Sequence, residues 1–125
     1  MPHIQIARRR LAYERVGEGS PVLFLNGSGS SIERSRLLWE SFGTVAEVVA
    51  HDYRGIGASD KGDAPTMASF AEDALTLADE LGWPTFDLVG VSFGGMVALE
   101  LVCVAPTRVR RLVLMCTSAG GRLGS

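Results

Sequence analysis

The stretch "FDLVGVSFGGMVALEL", Phe86–Leu101, constrains the chain most, because an apolar strand pattern passes into an apolar helical pattern within one turn. The joint is Gly90-Val91-Ser92-Phe93-Gly94. Glycines two places before and two places after the serine let strand and helix approach closely, and Gly95 extends that freedom. A G-x-S-x-G turn in this context holds its serine in a strained backbone conformation with the hydroxyl exposed. It also sets Ser92 at the start of a helix, where N–H groups and the helix dipole favour developing negative charge. The N–H of Phe93 is then one donor of an oxyanion hole. A serine in a purely structural turn is the plain alternative, and it accounts less well for the glycines.

The rest of the chain predicts how that turn is mounted. "HIQIARR" and "RLAYERV" read as two short strands of a hairpin-like start. "PVLFL", Pro21–Leu25, is a continuous apolar run, as expected for a strand buried on both faces. "IERSRLLWESF" can form a short helix, and "AEVVAHD", Ala46–Asp52, another strand. Met67, Phe70, Ala71, Ala74, Leu75, Ala78 and Leu81 form one apolar stripe of a helix over Thr66–Leu81, ended by Gly82 and Pro84. "TFDLVGV" is a strand. Gly94–Ala105 is apolar around most of its circumference, which predicts a buried helix, and "VRRLVLMC", Val109–Cys116, is a last strand.

From the third strand onward, strands alternate with helices. The fold class is therefore α/β, a mostly parallel sheet with helices on both faces. Ligands of such sheets bind beyond the carboxyl ends of the strands. Three polar, glycine-rich loops leave such ends: "NGSGSS", "DYRGIGASD" and "GVSFGG".

Composition restricts the function classes. The chain has 125 residues, which suits one domain, and a net charge of −2 with 46% hydrophobic residues. That balance gives no bias toward nucleic acid or acidic partners. The arginines Arg8 to Arg10 read as a solvated strand face. No apolar run is long enough to span a membrane, and "MPHIQIARRR" does not read as a signal peptide. Cys103 and Cys116 lack metal-ligand spacing and read as two buried, reduced thiols of a cytoplasmic protein. No metal or cofactor is expected.

With "RLAYERVGEGSPVLFLNGSGSS", "HDYRGIGASD" and "LVGVSFGGMVALELVCVAP" in this order, the whole chain resembles the N-terminal half of an α/β-hydrolase-fold protein of the small esterase, lactonase and cofactor-free haloperoxidase type. The resemblance is specific for the fold and weak for the substrate. It implies a serine nucleophile at Ser92 acting on a small carboxylic ester, lactone or related acyl compound. A serine there argues against the dehalogenase and epoxide hydrolase branches, which use aspartate. The loop after the third strand usually begins His-Gly in that family; here it is Asn26-Gly27-Ser28-Gly29, and the resemblance makes the N–H of Ser28 the second oxyanion donor. Asp52, Arg54 and Ser59 match the family's D-x-R-G-x-G-x-S loop, whose role is to hold the rim through hydrogen bonds.

The same fold places its acid and histidine after the serine in the chain. After Ser92 the only acidic residue is Glu100, inside the helix, and no histidine follows. His3 and His51 both lie upstream, and neither is expected to be the base; His51 reads as a rim or packing histidine. The resemblance therefore implies residues 1–125 as the N-terminal part of one hydrolase domain, truncated after about the sixth strand, with the cap and C-terminal strands absent. Alone it is expected to be inactive, because a serine without a base is a poor nucleophile. Its last strand is expected to be an apolar edge open to self-association or to a second chain completing the fold. Two other readings stand beside this one. The chain is a non-catalytic, oligomerising α/β module, or Gly27-x-Gly29 after a strand, with Asp52 further on, belongs to a dinucleotide-binding unit. Against the latter, Ile32 occupies the third glycine position and two strands precede the motif.

Overall fold

The computed structural model describes residues 3–6, 9–27, 31–53 and 66–115. Its strands are β1 (His3–Ile6), β2 (Arg9–Val16), β3 (Pro21–Leu25), β4 (Glu47–His51), β5 (Phe86–Val91) and β6 (Val109–Met115). Its helices are α1 (Arg36–Ser41), α2 (Met67–Glu80) and α3 (Phe93–Val104). The strands form one sheet in the order β1-β2-β4-β3-β5-β6. β1 pairs antiparallel with β2, and β2 antiparallel with β4. β3 is parallel to both β4 and β5, and β5 is parallel to β6. Every expected element is present, with ends shifted by a few residues.

Period two explains why β3 lies at the centre. Leu23 and Leu25 point into a core with α2 and α3, while Val22 and Phe24 point into a second core with α1. β4 divides likewise, with Val49 on the first side and Val48 and Ala50 on the other. In the second core the Trp39 indole is fully buried, and its N–H donates to the Ile32 carbonyl at 2.8 Å. Arg36 ties α1 to β2 by pairing with Glu14, and it also meets Glu33 and Glu40. On the other face, the Thr66 hydroxyl caps α2 by accepting the Ser69 N–H at 3.1 Å. Gly82, at φ +76°, lets the chain turn out of that helix.

Two expectations are corrected. α3 is buried only on the face carrying Gly94, Gly95, Val97, Ala98 and Leu101. Its outer face is open, with Cys103 and Val104 exposed, because the sheet and α2 pack against the opposite face. Cys103 is therefore an exposed thiol, not a buried one; Cys116 lies outside the described residues. β6 occupies the sheet edge, and Leu112, Val113 and Leu114 are 36%, 48% and 39% exposed. No helix among the described residues is long and apolar enough to cross a membrane.

His51 ends β4 fully buried, and neither ring nitrogen has a hydrogen-bond partner among the described residues. Burial pulls its pKa from the ordinary 6.5 to about 4, against the opposing pull of Asp73 and Asp52. Between these values the unfolded chain binds a proton that the folded chain excludes. Stability is therefore expected to fall as pH drops from 6.5 toward about 4. The His51 share is at most about 3 kcal/mol. Urea denaturation across this pH range should show a shallower loss for His51→Phe than for the parent; equal slopes would contradict the assignment.

Candidate functional site

The carboxyl ends of β3, β4 and β5 meet on one rim. β5 delivers Ser92, whose φ of +55° and ψ of −117° make it the one non-glycine residue of positive φ among the described residues. Side chains rarely adopt this region, and the strain costs about 1–3 kcal/mol. The main chain fixes it from both sides. The Ser92 N–H donates to the Met115 carbonyl at 2.8 Å, and the Gly95 N–H donates to the Ser92 carbonyl at 2.9 Å. The Ser92 side chain is exposed at the N-terminus of α3.

Two glycines make the turn geometrically accessible. A Cβ on Gly90 would stand 2.6 Å from the Gly94 carbonyl oxygen and 2.7 Å from the Gly95 Cα. A Cβ on Gly94 would run into the Leu25 carbonyl oxygen and lie 2.5 Å from that of Asn26. Strand-to-helix and helix-to-strand packing at this point is thus backbone on backbone.

The loop after β3 lies against the serine. A Cβ built on Gly27 would come within 3.9 Å of the Ser92 Cβ. Asn26 is buried and brackets the loop: its Oδ1 accepts the Gly27 N–H at 2.9 Å, and its Nδ2 donates to the Ser31 carbonyl at 2.9 Å. The side chain standing in place of the expected histidine therefore does supply supporting hydrogen bonds. From β4, the buried Asp52 accepts the Ile32 N–H through Oδ1 at 2.7 Å, which pins the far end of the loop. Ser28, Arg54 and Ser59 lie outside the described residues.

Sequence reasoning passed over Tyr53. It is buried, its hydroxyl donates to the Asn26 carbonyl at 2.6 Å, and its ring meets Phe93 edge-on at 5.8 Å. Phe70 of α2 closes the cluster, 5.1 Å from Tyr53 and 5.4 Å from Phe93. The available signal was an aromatic residue set inside a polar, glycine-rich loop at a strand's carboxyl end.

The chemistry open to this rim is stabilisation of an anion beside an exposed hydroxyl. The first N–H groups of a helix have no carbonyl partner within it, and the helix dipole adds about half a positive charge there. The two histidines and the acid that follows Ser92 do not reach its side chain. His51 is sealed in the core and its nitrogens do not bond Ser92. His3 lies on β1, four strand spacings from β5 and so about 19 Å away. Glu100 sits two turns along α3, about 12 Å from Ser92. The dinucleotide reading also loses its basis, because α1 opens at Arg36 and not beside Gly27.

Residues 20–122 match the family model of the alpha/beta hydrolase fold. The 2-hydroxymuconate semialdehyde hydrolase of Pseudomonas putida is 41% identical over 103 residues, covering 79% of this chain and 37% of that protein. A hydrolase from Pseudomonas aeruginosa PA01 superposes with a TM-score of 0.89 at 30% identity, covering 98% of this chain and 48% of its own. A structure described as an N-acyl homoserine lactone degrading enzyme gives 0.85 at 29% identity, over 90% of this chain and 44% of its own. The chain thus spans less than half the length of each of these proteins. With a six-stranded, mainly parallel sheet and a serine on the turn between β5 and α3, this chain belongs to the α/β-hydrolase fold family.

Proposed function

We propose that these residues form the nucleophile-bearing part of a serine hydrolase acting on small carboxylic esters, lactones or related acyl compounds. The observation that carries this reading is the positive φ of Ser92 on a turn where only glycines flank the close contacts. Relatives named as hydrolases and a lactone-degrading enzyme support it. In this reading the Ser92 Oγ adds to the substrate carbonyl carbon while a base removes its proton. The former carbonyl oxygen becomes an oxyanion held by the N–H groups of Phe93 and Ser28. Collapse of that intermediate expels the alcohol, which regains the proton, and leaves an acyl-serine that water hydrolyses. The histidine and acid of the reaction come from outside these 125 residues.

Fluorophosphonate labelling of the natural polypeptide that carries this sequence tests the assignment. Ser92 should be the modified residue and Ser92→Ala should lose the label. Equal labelling of the variant would refute it. The 125-residue chain alone should label far more slowly, because triad loss leaves only the weak contribution of the oxyanion site.

The exposed apolar residues of β6 favour a second reading, in which the chain alone is an oligomerising module. A groove of about 310 Å³ beside this edge, lined in part by Val22, Phe42, Val89 and Val113, extends the apolar surface away from Ser92. Sedimentation equilibrium of the 125-residue chain should then show dimers or larger species. A monomer at all concentrations would exclude that reading.

A further inference from the structure

Gly90 and Gly94 must be glycines, because a Cβ at either would strike main-chain atoms. Gly27 has no such reason among the described residues. Its φ lies outside the left-handed region, so its backbone is open to any residue type. An added Cβ would meet the Val91 carbonyl oxygen at 3.8 Å and the Ser92 Cβ at 3.9 Å, both ordinary van der Waals distances. Nor is the residue a free donor to an anion, since its N–H is already given to the Asn26 Oδ1 at 2.9 Å. What Gly27 contributes is its place. It is half-buried and Ser92 is exposed, so both border the open rim. A side chain at position 27 would begin against the Ser92 Cβ, one bond from the hydroxyl oxygen.

We propose that Gly27 is a specificity-determining residue, whose missing side chain leaves room beside Ser92, on the β3 side, for a branched substituent of the carbonyl carbon under attack. The assignment rests on Ser92 being the nucleophile. Attack brings that carbon to about 3–3.5 Å from the Ser92 Oγ. The groups it carries then lie within a few ångströms of the Ser92 Cβ, in the volume that a methyl group on residue 27 would enter. Crowding there acts on the transition state as well as on the bound substrate, so it is read in kcat/KM.

The test uses the natural polypeptide carrying these residues. The esters p-nitrophenyl acetate and p-nitrophenyl 2-methylpropanoate differ by two methyl groups beside the carbonyl. The ratio of their kcat/KM values, acetate over 2-methylpropanoate, should rise at least about tenfold in Gly27→Ala and further in Gly27→Val. Methyl acetate and isopropyl acetate place the branch on the alcohol instead. A rise in either ratio supports the proposal and tells which side of the ester faces Gly27. Unchanged ratios in both pairs overturn it. Gly27→Ala should also keep the parent's Tm within about 3 °C. A larger fall, or a failure to fold, would make Gly27 a packing residue and overturn the proposal as well. Ser92→Ala assayed in parallel separates the two claims. If it keeps the parent's activity, the nucleophile reading fails; if it is inactive while Gly27→Ala leaves both ratios unchanged, only the Gly27 assignment fails.

Discussion

The structure depends on one contact made without side chains: the first turn of α3 pressed onto the ends of β3 and β5. Gly94 lies against the Leu25 and Asn26 carbonyl oxygens, and Gly90 lies under Gly94 and Gly95. Any Cβ at either glycine would push the helix from the sheet. The close approach explains the sharpness of the turn between them. A strand ending at Val91 and a helix beginning at Phe93 leave a single residue to reverse direction, and Ser92 absorbs that in a φ of +55°. The resulting strain of about 1–3 kcal/mol is sustained because both neighbouring elements are held by extensive buried surfaces. Backbone held in this way fixes where the Ser92 Cβ stands on the rim.

Around that joint, hydrogen bonds from three strand ends replace the regular ladder where the sheet stops. Asn26 closes its own loop from within, Asp52 fastens Ile32, and Tyr53 fastens Asn26. Each polar side chain is buried beside a main-chain partner, which is the condition under which buried polar groups add order instead of cost. Trp39 continues the chain of contacts by bonding the Ile32 carbonyl from α1. The α1 face and the serine rim are thus mechanically joined through one residue, Ile32, whose N–H and carbonyl are both taken by side chains.

Local patterns were enough to read the sheet, because Leu23/Leu25 against Val22/Phe24 encode two buried faces in five residues. The glycines of the serine turn were legible for a similar reason: nothing but close backbone contact accounts for so many at one joint. Exposure of α3 was not legible. Apolar composition states what a helix can tolerate around it, and whether a neighbour covers the Cys103 side depends on chain packing beyond local sequence. The Asn26 bracket and the Tyr53 hydrogen bond were illegible for another reason. Each joins residues through a distance set by tertiary geometry, and Tyr53 reaches across 27 positions to Asn26.

If the proposed acyl transfer takes place here, the described residues divide its chemistry in a physically sensible way. In that reading an oxyanion is held by the main chain, and the glycines, the helix N-terminus and the buried hydrogen bonds that shape this rim are encoded close to β3, β4 and β5. Proton transfer requires a titrating side chain near its working pH, in contact with the hydroxyl. His51 fails that requirement for the same reason that it suits the core: burial that leaves both nitrogens unbonded keeps it neutral down to about pH 4. A histidine cannot serve as packing for β4 and as a base for Ser92 at once. The packing that holds the rim is therefore the same packing that seals His51 away from Ser92, and in the proposed reaction a base would have to reach Ser92 from its exposed side.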